Sequence, residues 1–160
     1  MGNNLDPIDI ASTFVGTNNR AIFNDWFYGK KGMLTPYCGT FVSYCRFMGK
    51  MALGVVDYTL GFAGVPFAVK HYRDKGQLTK TPVRNDLCFF NWNGQIDPNH
   101  PELFEHTSLF KCDNNDGGVS FTSVEGNTSN PTHAATGGES NSGWVMEKRR
   151  LYSQAIFAHP

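Results

Sequence analysis

An α+β fold follows from three observations along the chain. Through about residue 76, apolar side chains recur at helical spacing between prolines and glycines. Beyond Pro82 the pattern changes to short β-branched and aromatic runs, and the polar, glycine-rich stretch 113–118 between two of them is a strong hairpin signal. Helices first and antiparallel strands second make one domain over 1–160, with segregated helices packed on a sheet. At 160 residues the chain is of single-domain size and can bury roughly two-thirds of its unfolded surface.

Asp6 followed by Pro7 has the form of an N-cap and first helical residue, and Ile8, Ala11, Phe14 and Val15 form an apolar stripe that Gly16 ends. Asn18 is expected to cap a second helix running through Ala21, Ile22, Trp26 and Phe27 to Gly29. In the third, Thr35 caps and Pro36 opens. Cys38, Phe41, Val42, Cys45 and Met48 then share a face up to Gly49, which puts Cys38 in the first turn. A fourth helix spans about 66–75 and stops at Gly76. Residues 50–65 are apolar and glycine-rich and show no assignable period. Strands are expected over 87–92, 107–112, 119–124, 144–148 and 152–157. The stretch 126–143 contains no large apolar side chain and reads as a long loop, functional or mobile.

Several function classes are disfavoured. Fourteen basic residues balance fourteen acidic ones, so no net field draws the chain to nucleic acid or an anionic membrane, and neither partner is expected. The most apolar stretch, 53–69, is interrupted by Gly54, Asp57, Gly61, Gly64 and Pro66, far short of a membrane span. The N-terminus has neither a basic nor an apolar signal region. Cys38, Cys45, Cys88 and Cys112 lack the paired spacing of a zinc site and are expected to be mostly free thiols. On one helix Cys38 and Cys45 lie roughly 10 Å apart, beyond disulfide reach.

A cysteine in a first helical turn faces unsatisfied backbone N–H groups and the positive end of the helix dipole, an environment that favours thiolate and suits a nucleophile. The same N–H groups can hold the oxyanion formed when a thiolate attacks an amide carbonyl. A buried structural thiol is the alternative, and Cys45 fits it. Such a nucleophile needs a histidine as base and acid. Of His71, His100, His106, His133 and His159, His106 opens a strand that would hold its ring rigidly. Glu125 and Asn127, two apart at a strand end, are expected to project to one side, where either can orient an imidazole or simply cap a turn.

Four blocks now fall in order. Tyr37-Cys38-Gly39-Thr40-Phe41-Val42-Ser43-Tyr44-Cys45 resembles the nucleophile motif of CHAP domains, the cysteine- and histidine-dependent amidohydrolases/peptidases related to NlpC/P60 and papain-like enzymes. Pro82-Val83-Arg84-Asn85-Asp86-Leu87-Cys88-Phe89-Phe90 resembles that family's Pro-x-x-Gly-Asp-leucine-x-Phe-Phe strand. Glu105-His106-Thr107-Ser108-Leu109-Phe110 resembles its histidine strand, and Val124-Glu125-Gly126-Asn127-Thr128-Ser129 its Glu-Gly-Asn segment. The resemblance spans about Asn18 to Phe157.

The resemblance implies a papain-like fold, Cys38 as nucleophile, His106 as general base and acid, Glu125 as its orienting partner and Asn127 as a further polar site residue. It implies a peptidoglycan hydrolase, either an N-acetylmuramoyl-L-alanine amidase or an endopeptidase, acting as a phage endolysin or lytic domain. Such a protein is made in the bacterial cytoplasm and acts on the cell wall, here as an expected monomer. Tyr37 stands where tryptophan is usual, Gly39 where alanine is, Asn85 where glycine is, and Ser108 where glycine is frequent. Some relatives bind calcium just before the cysteine; Asn24 and Asp25 are too few oxygen ligands, so no metal or cofactor is expected. Other readings are an interbacterial toxin, a cysteine amidase or protease on a non-wall substrate, and a non-catalytic wall-binding module.

Overall fold

The computed structural model describes residues 4–132 and 142–160, and it is α+β. Four helices come first, α1 (Pro7–Thr13), α2 (Arg20–Tyr28), α3 (Cys38–Met48) and α4 (Val65–Asp74). Six strands follow: β1 (Leu78–Thr79), β2 (Leu87–Phe90), β3 (His106–Asp113), β4 (Ser120–Thr128), β5 (Trp144–Leu151) and β6 (Ala155–Ala158). They form one sheet in the order β1-β6-β2-β3-β4-β5, with every neighbouring pair antiparallel.

Local chemistry accounts for most of the boundaries. Asp6 caps α1 through the Asp9 amide at 2.9 Å, and the Asp9 carboxylate accepts in return from the Asp6 amide at 3.1 Å, a capping box. Gly29 ends α2 in the left-handed region at φ 65°. All four cysteines are free thiols, Cys112 alone being exposed. Asn85 sits at φ 76°, a conformation that asparagine tolerates better than most residues, so it can stand where a glycine is usual. Its side chain then accepts from the Ile8 amide at 2.9 Å and donates to Asp6 at 3.2 Å, tying the strand entry to α1.

Several boundaries differ from expectation. The third helix is capped not by Thr35 but by Tyr37, and it opens at Cys38. The Asn24 amide donates to the Met33 and Thr35 carbonyls at 3.0 and 2.9 Å and holds that segment as a loop. The second helix is capped at Asn19 rather than Asn18, with no side-chain hydrogen bond. Tyr152–Gln154 is a 3-10 turn leading into β6 rather than part of a strand. Strand β4 runs on to Thr128 because Trp144 of β5 pairs with it, so the start of the expected 126–143 loop belongs to the sheet; residues 133–141 lie outside the described residues. The stretch 113–118 does form the β3–β4 hairpin, with Asp116 accepting from the Val119 and Ser120 amides.

The helices cover one face of the sheet, where Phe23, Phe41, Leu109, Val124 and Ile156 share a buried cluster. Phe90, Phe110, Phe121 and Phe157 form a second, smaller cluster with Cys88 and Ala155. Along β4 the alternation of side chains puts Val124 in the helix-facing core and Ser123 and Glu125 on the opposite side. Helix α3 lies tight against β4 at Gly126. A Cβ there would lie 2.6 Å from Phe41 Cβ and Cγ and 2.9 Å from Tyr37 Cε2. Gly126→Ala is therefore expected to push α3 off the sheet and destabilise the fold by about 1–3 kcal/mol. Urea unfolding should show this as a lower midpoint with an unchanged slope.

Candidate active site

Cys38 is the first residue of α3 and His106 the first residue of β3. Three features bring these chain-distant residues together. Gly126 lets α3 lie against β4. Tyr37, fully buried and stacked on Phe23 at 5.4 Å and 11°, donates its hydroxyl to the Gly143 carbonyl at 2.7 Å. Ser43 Oγ accepts from the Phe62 amide at 3.1 Å and lies 2.9 Å from the Gly39 carbonyl, clamping the 53–64 loop to the first turns of α3. Gly39 is packed by that loop: a Cβ would fall 2.8 Å from the Ala63 oxygen and 2.9 Å from the Phe62 oxygen, so alanine does not fit without movement of backbone.

The His106 imidazole lies within side-chain hydrogen-bonding reach of the Cys38 thiol. Its Nε2 is 3.0 Å from Glu125 Oε2. Both residues are shielded, His106 being 8% exposed and Cys38 7%. The first helical N–H to find an acceptor is that of Phe41, on the Tyr37 carbonyl at 2.9 Å. The amides of Cys38, Gly39 and Thr40 have no acceptor among the described residues. A sulfur, an oriented imidazole and amide donors with no acceptor among the described residues thus lie at one helix end.

Glu125 is fully buried, and its carboxylate is satisfied by three donors besides the imidazole. Arg150 approaches both oxygens, Nε to Oε1 at 2.6 Å and Nη2 to Oε2 at 2.7 Å, and Ser123 Oγ donates to Oε1 at 2.9 Å. Such a forked pair is the strongest way a guanidinium binds a carboxylate. The Arg150 guanidinium also lies over the Trp92 ring at 4.6 Å, with Trp92 stacked on Phe90 at 4.9 Å and 17°. Burial alone would push the Glu125 carboxyl up, but the hydrogen bonds and charges of Arg150 and His106 hold it far below the usual carboxylate range. Burial likewise opposes charge on His106. Hydrogen bonds to Cys38 and Glu125 and the Glu125 charge outweigh it and raise its pKa to about 9.

Asn127 is placed differently from expectation. The β4–β5 register shifts between Glu125 and Thr128, and Asn127 adopts φ 58°, so the two-residue alternation that would have set it beside Glu125 is broken. Its backbone amide meets the Tyr37 phenol. Among the described residues its side chain makes no hydrogen bond to Cys38, His106 or Glu125. The remaining histidines are elsewhere: His71 on α4, His100 beside Glu102 at 3.0 Å and His159 on Asp86 at 2.6 Å. His133 lies outside the described residues. Asn24 and Asp25 hydrogen-bond to the segment leading to Cys38, and no group of three metal-binding side chains occurs among the described residues.

Arg150 and Ser123 were not singled out from the sequence. Neither has a motif around it, and the link from Arg150 to Glu125 depends on β4–β5 register, in which Arg150 pairs with Phe121, four residues before Glu125 on the same side of β4. A half-buried arginine on a strand is the only hint.

The ion pair sets a pH signature. His106 has a raised folded-state pKa, so its contribution to stability is fully present below about 6.5 and is lost as pH rises through about 9. Glu125 has a depressed one, so its contribution is present above about 4.5 and is lost as pH falls. Urea midpoints measured across pH 4–9.5 should decline on both sides, and His106→Gln should flatten the alkaline decline. Arg150→Gln should lower stability at pH 7 by about 3–5 kcal/mol, because it strips a buried carboxylate of its guanidinium.

No family model, no curated protein and no solved structure matches this chain.

Proposed function

We propose that this protein is a cysteine hydrolase of CHAP type that cleaves an amide or peptide bond in bacterial peptidoglycan, working as a lytic domain or endolysin. The observation that carries the chemistry is the meeting of Cys38, at the free-amide end of α3, with an imidazole held by a buried carboxylate. A helix-borne sulfur facing a sheet-borne imidazole also supports the papain-like classification. The substrate class rests on the four ordered sequence blocks, since a Cys–His pair alone serves many amides.

In this mechanism His106 already carries the proton that Cys38 has given up, and the sulfur attacks the carbonyl carbon as a thiolate. The amides at the start of α3 hold the resulting oxyanion. As the carbon–nitrogen bond breaks, the imidazolium gives its proton to the departing nitrogen, leaving a thioester on Cys38. Water then attacks, its proton is taken by His106, and release of the carboxylic acid restores the thiolate. Glu125 accepts the Nε2 hydrogen throughout and stabilises the imidazolium, a role in which Arg150 keeps it ionised and in place. Trp92, 37% exposed and 5.8 Å from the His106 ring, offers an aromatic wall beside the reacting bond.

Incubation with purified sacculi and mass spectrometry of the released fragments tests this reading and identifies the bond. Cys38→Ala and His106→Ala should each lower release by several orders of magnitude, because the pair acts as a unit, and Glu125→Ala by less. Release by Cys38→Ala at the wild-type rate would overturn the assignment. Intact sacculi with turnover of a different amide substrate would move the chemistry to a non-wall target.

A further inference from the structure

A group of aromatic side chains that the catalytic proposal does not use gathers at the C-terminal end of α2. Trp26, Phe27, Tyr28, Tyr58 and Leu60 line a groove of about 420 Å³ that includes neither Cys38 nor His106. Phe27, 5% exposed, is its most deeply set ring. Tyr58, 46% exposed, packs on Phe27 at 5.1 Å and 63° and on Tyr28 at 5.5 Å and 87°, so the rings stand at steep angles to one another. Trp26 is braced by Tyr44 at 5.3 Å and 89° and by Phe47 at 5.3 Å and 54°.

Two properties of this lining select a ligand. It holds no charged side chain: Lys30 and Lys31 follow Gly29 in the chain but do not line the groove. The neighbouring acids are engaged with backbone, Asp25 accepting from the Gly32 amide at 3.2 Å and Asp57 from the Ala63 and Gly64 amides at 3.0 and 2.9 Å. The rings also carry polar tips that are unused. The Trp26 indole N–H and the Tyr28 and Tyr58 hydroxyls make no hydrogen bond among the described residues, and the first two reach the surface. A lipid chain or an apolar peptide segment would cover these three donors without offering an acceptor, which is costly. A charged polymer would find no counter-charge. A sugar ring meets both conditions, since its C–H face lies on an aromatic wall while its hydroxyl or acetamido oxygens accept from indole and phenol.

We propose that this groove docks a neutral saccharide chain and, resting on the hydrolase reading, that the chain is the glycan strand of the wall, gripped apart from the reacting sulfur. The acid groups of that strand are tied up in amide links to peptide, so the strand suits an uncharged groove.

The test is NMR titration of the full chain with chitotetraose, with tetragalacturonate and vesicles of neutral phosphatidylcholine as the other probes. The expected result is saturable shifts of the amides of 26–29 and 58–60 with chitotetraose, and weaker or no binding of the acidic tetramer. Affinity should fall roughly tenfold in Tyr58→Ala, which loses the ring, and about threefold in Tyr58→Phe, which loses only an oxygen without a partner. The second variant keeps the test decisive if the first does not fold. No saturable shift with chitotetraose, unchanged affinity in either variant, or tighter binding of tetragalacturonate would overturn the proposal. Shifts of the same amides by the vesicles alone would assign the groove to a membrane surface instead. Cys38→Ala should bind chitotetraose as the wild type does. Saturable binding with sacculi left intact by the wild type would keep the saccharide site and overturn only the wall as its source.

Discussion

A carboxylate with no contact with solvent must be surrounded by donors, and the local structure around Glu125 is organised by that requirement. Its oxygens receive both donors of Arg150, the Ser123 hydroxyl and one nitrogen of His106. Removing any one of these leaves a buried charge short of a partner, which costs more than the lost bond itself is worth. The imidazole is consequently held in one orientation beside Cys38. The position of the ring thus follows from satisfying an acid buried nineteen residues further along the chain.

Aromatic packing keeps that network out of water. Phe90 and Trp92 stack beside the His106 ring, and the Arg150 guanidinium lies over Trp92. In such surroundings hydrogen bonds between charged groups are stronger than in solvent, and the same surroundings punish an unpaired charge. Shielding and pairing therefore depend on each other: a looser aromatic wall would hydrate the carboxylate and relax the imidazole.

Helix α3 links two polar centres at opposite ends. At its start, a thiol and amides with no acceptor among the described residues face the sheet; toward its end, the buried Arg46 donates to the Asn85 carbonyl. Between them the helix rests on β3 and β4 through Phe41, Val42 and Cys45, all fully buried, and at Gly126 it approaches β4 too closely for any side chain. The absence of a Cβ at Gly39 and Gly126 is thus what sets the depth of the helix and with it the reach of Cys38. Substitution at either glycine acts on the site through geometry and removes no chemical group.

Much was legible in the residues themselves. Asp6-Pro7, Gly29 and Gly76 mark helix ends through backbone preferences that hold wherever the chain is placed, and the change of period after Pro82 separates helices from strands. The same periodicity put Cys38 in a first helical turn and His106 at a strand start, because those positions depend on neighbours within a few residues. The left-handed turn at Asn127 was not legible, since a bulge arises from pairing with β5. Nor was the cap at Tyr37, where the Asn24 side chain from α2 overrides Thr35. Arg150 and Ser123 entered the site only through strand register, and the Cys38–His106 contact only through the seating of α3 on the sheet. Local sequence determines conformations whose energies are local. Partners for a buried charge are chosen when distant strands align, and that choice belongs to the tertiary structure.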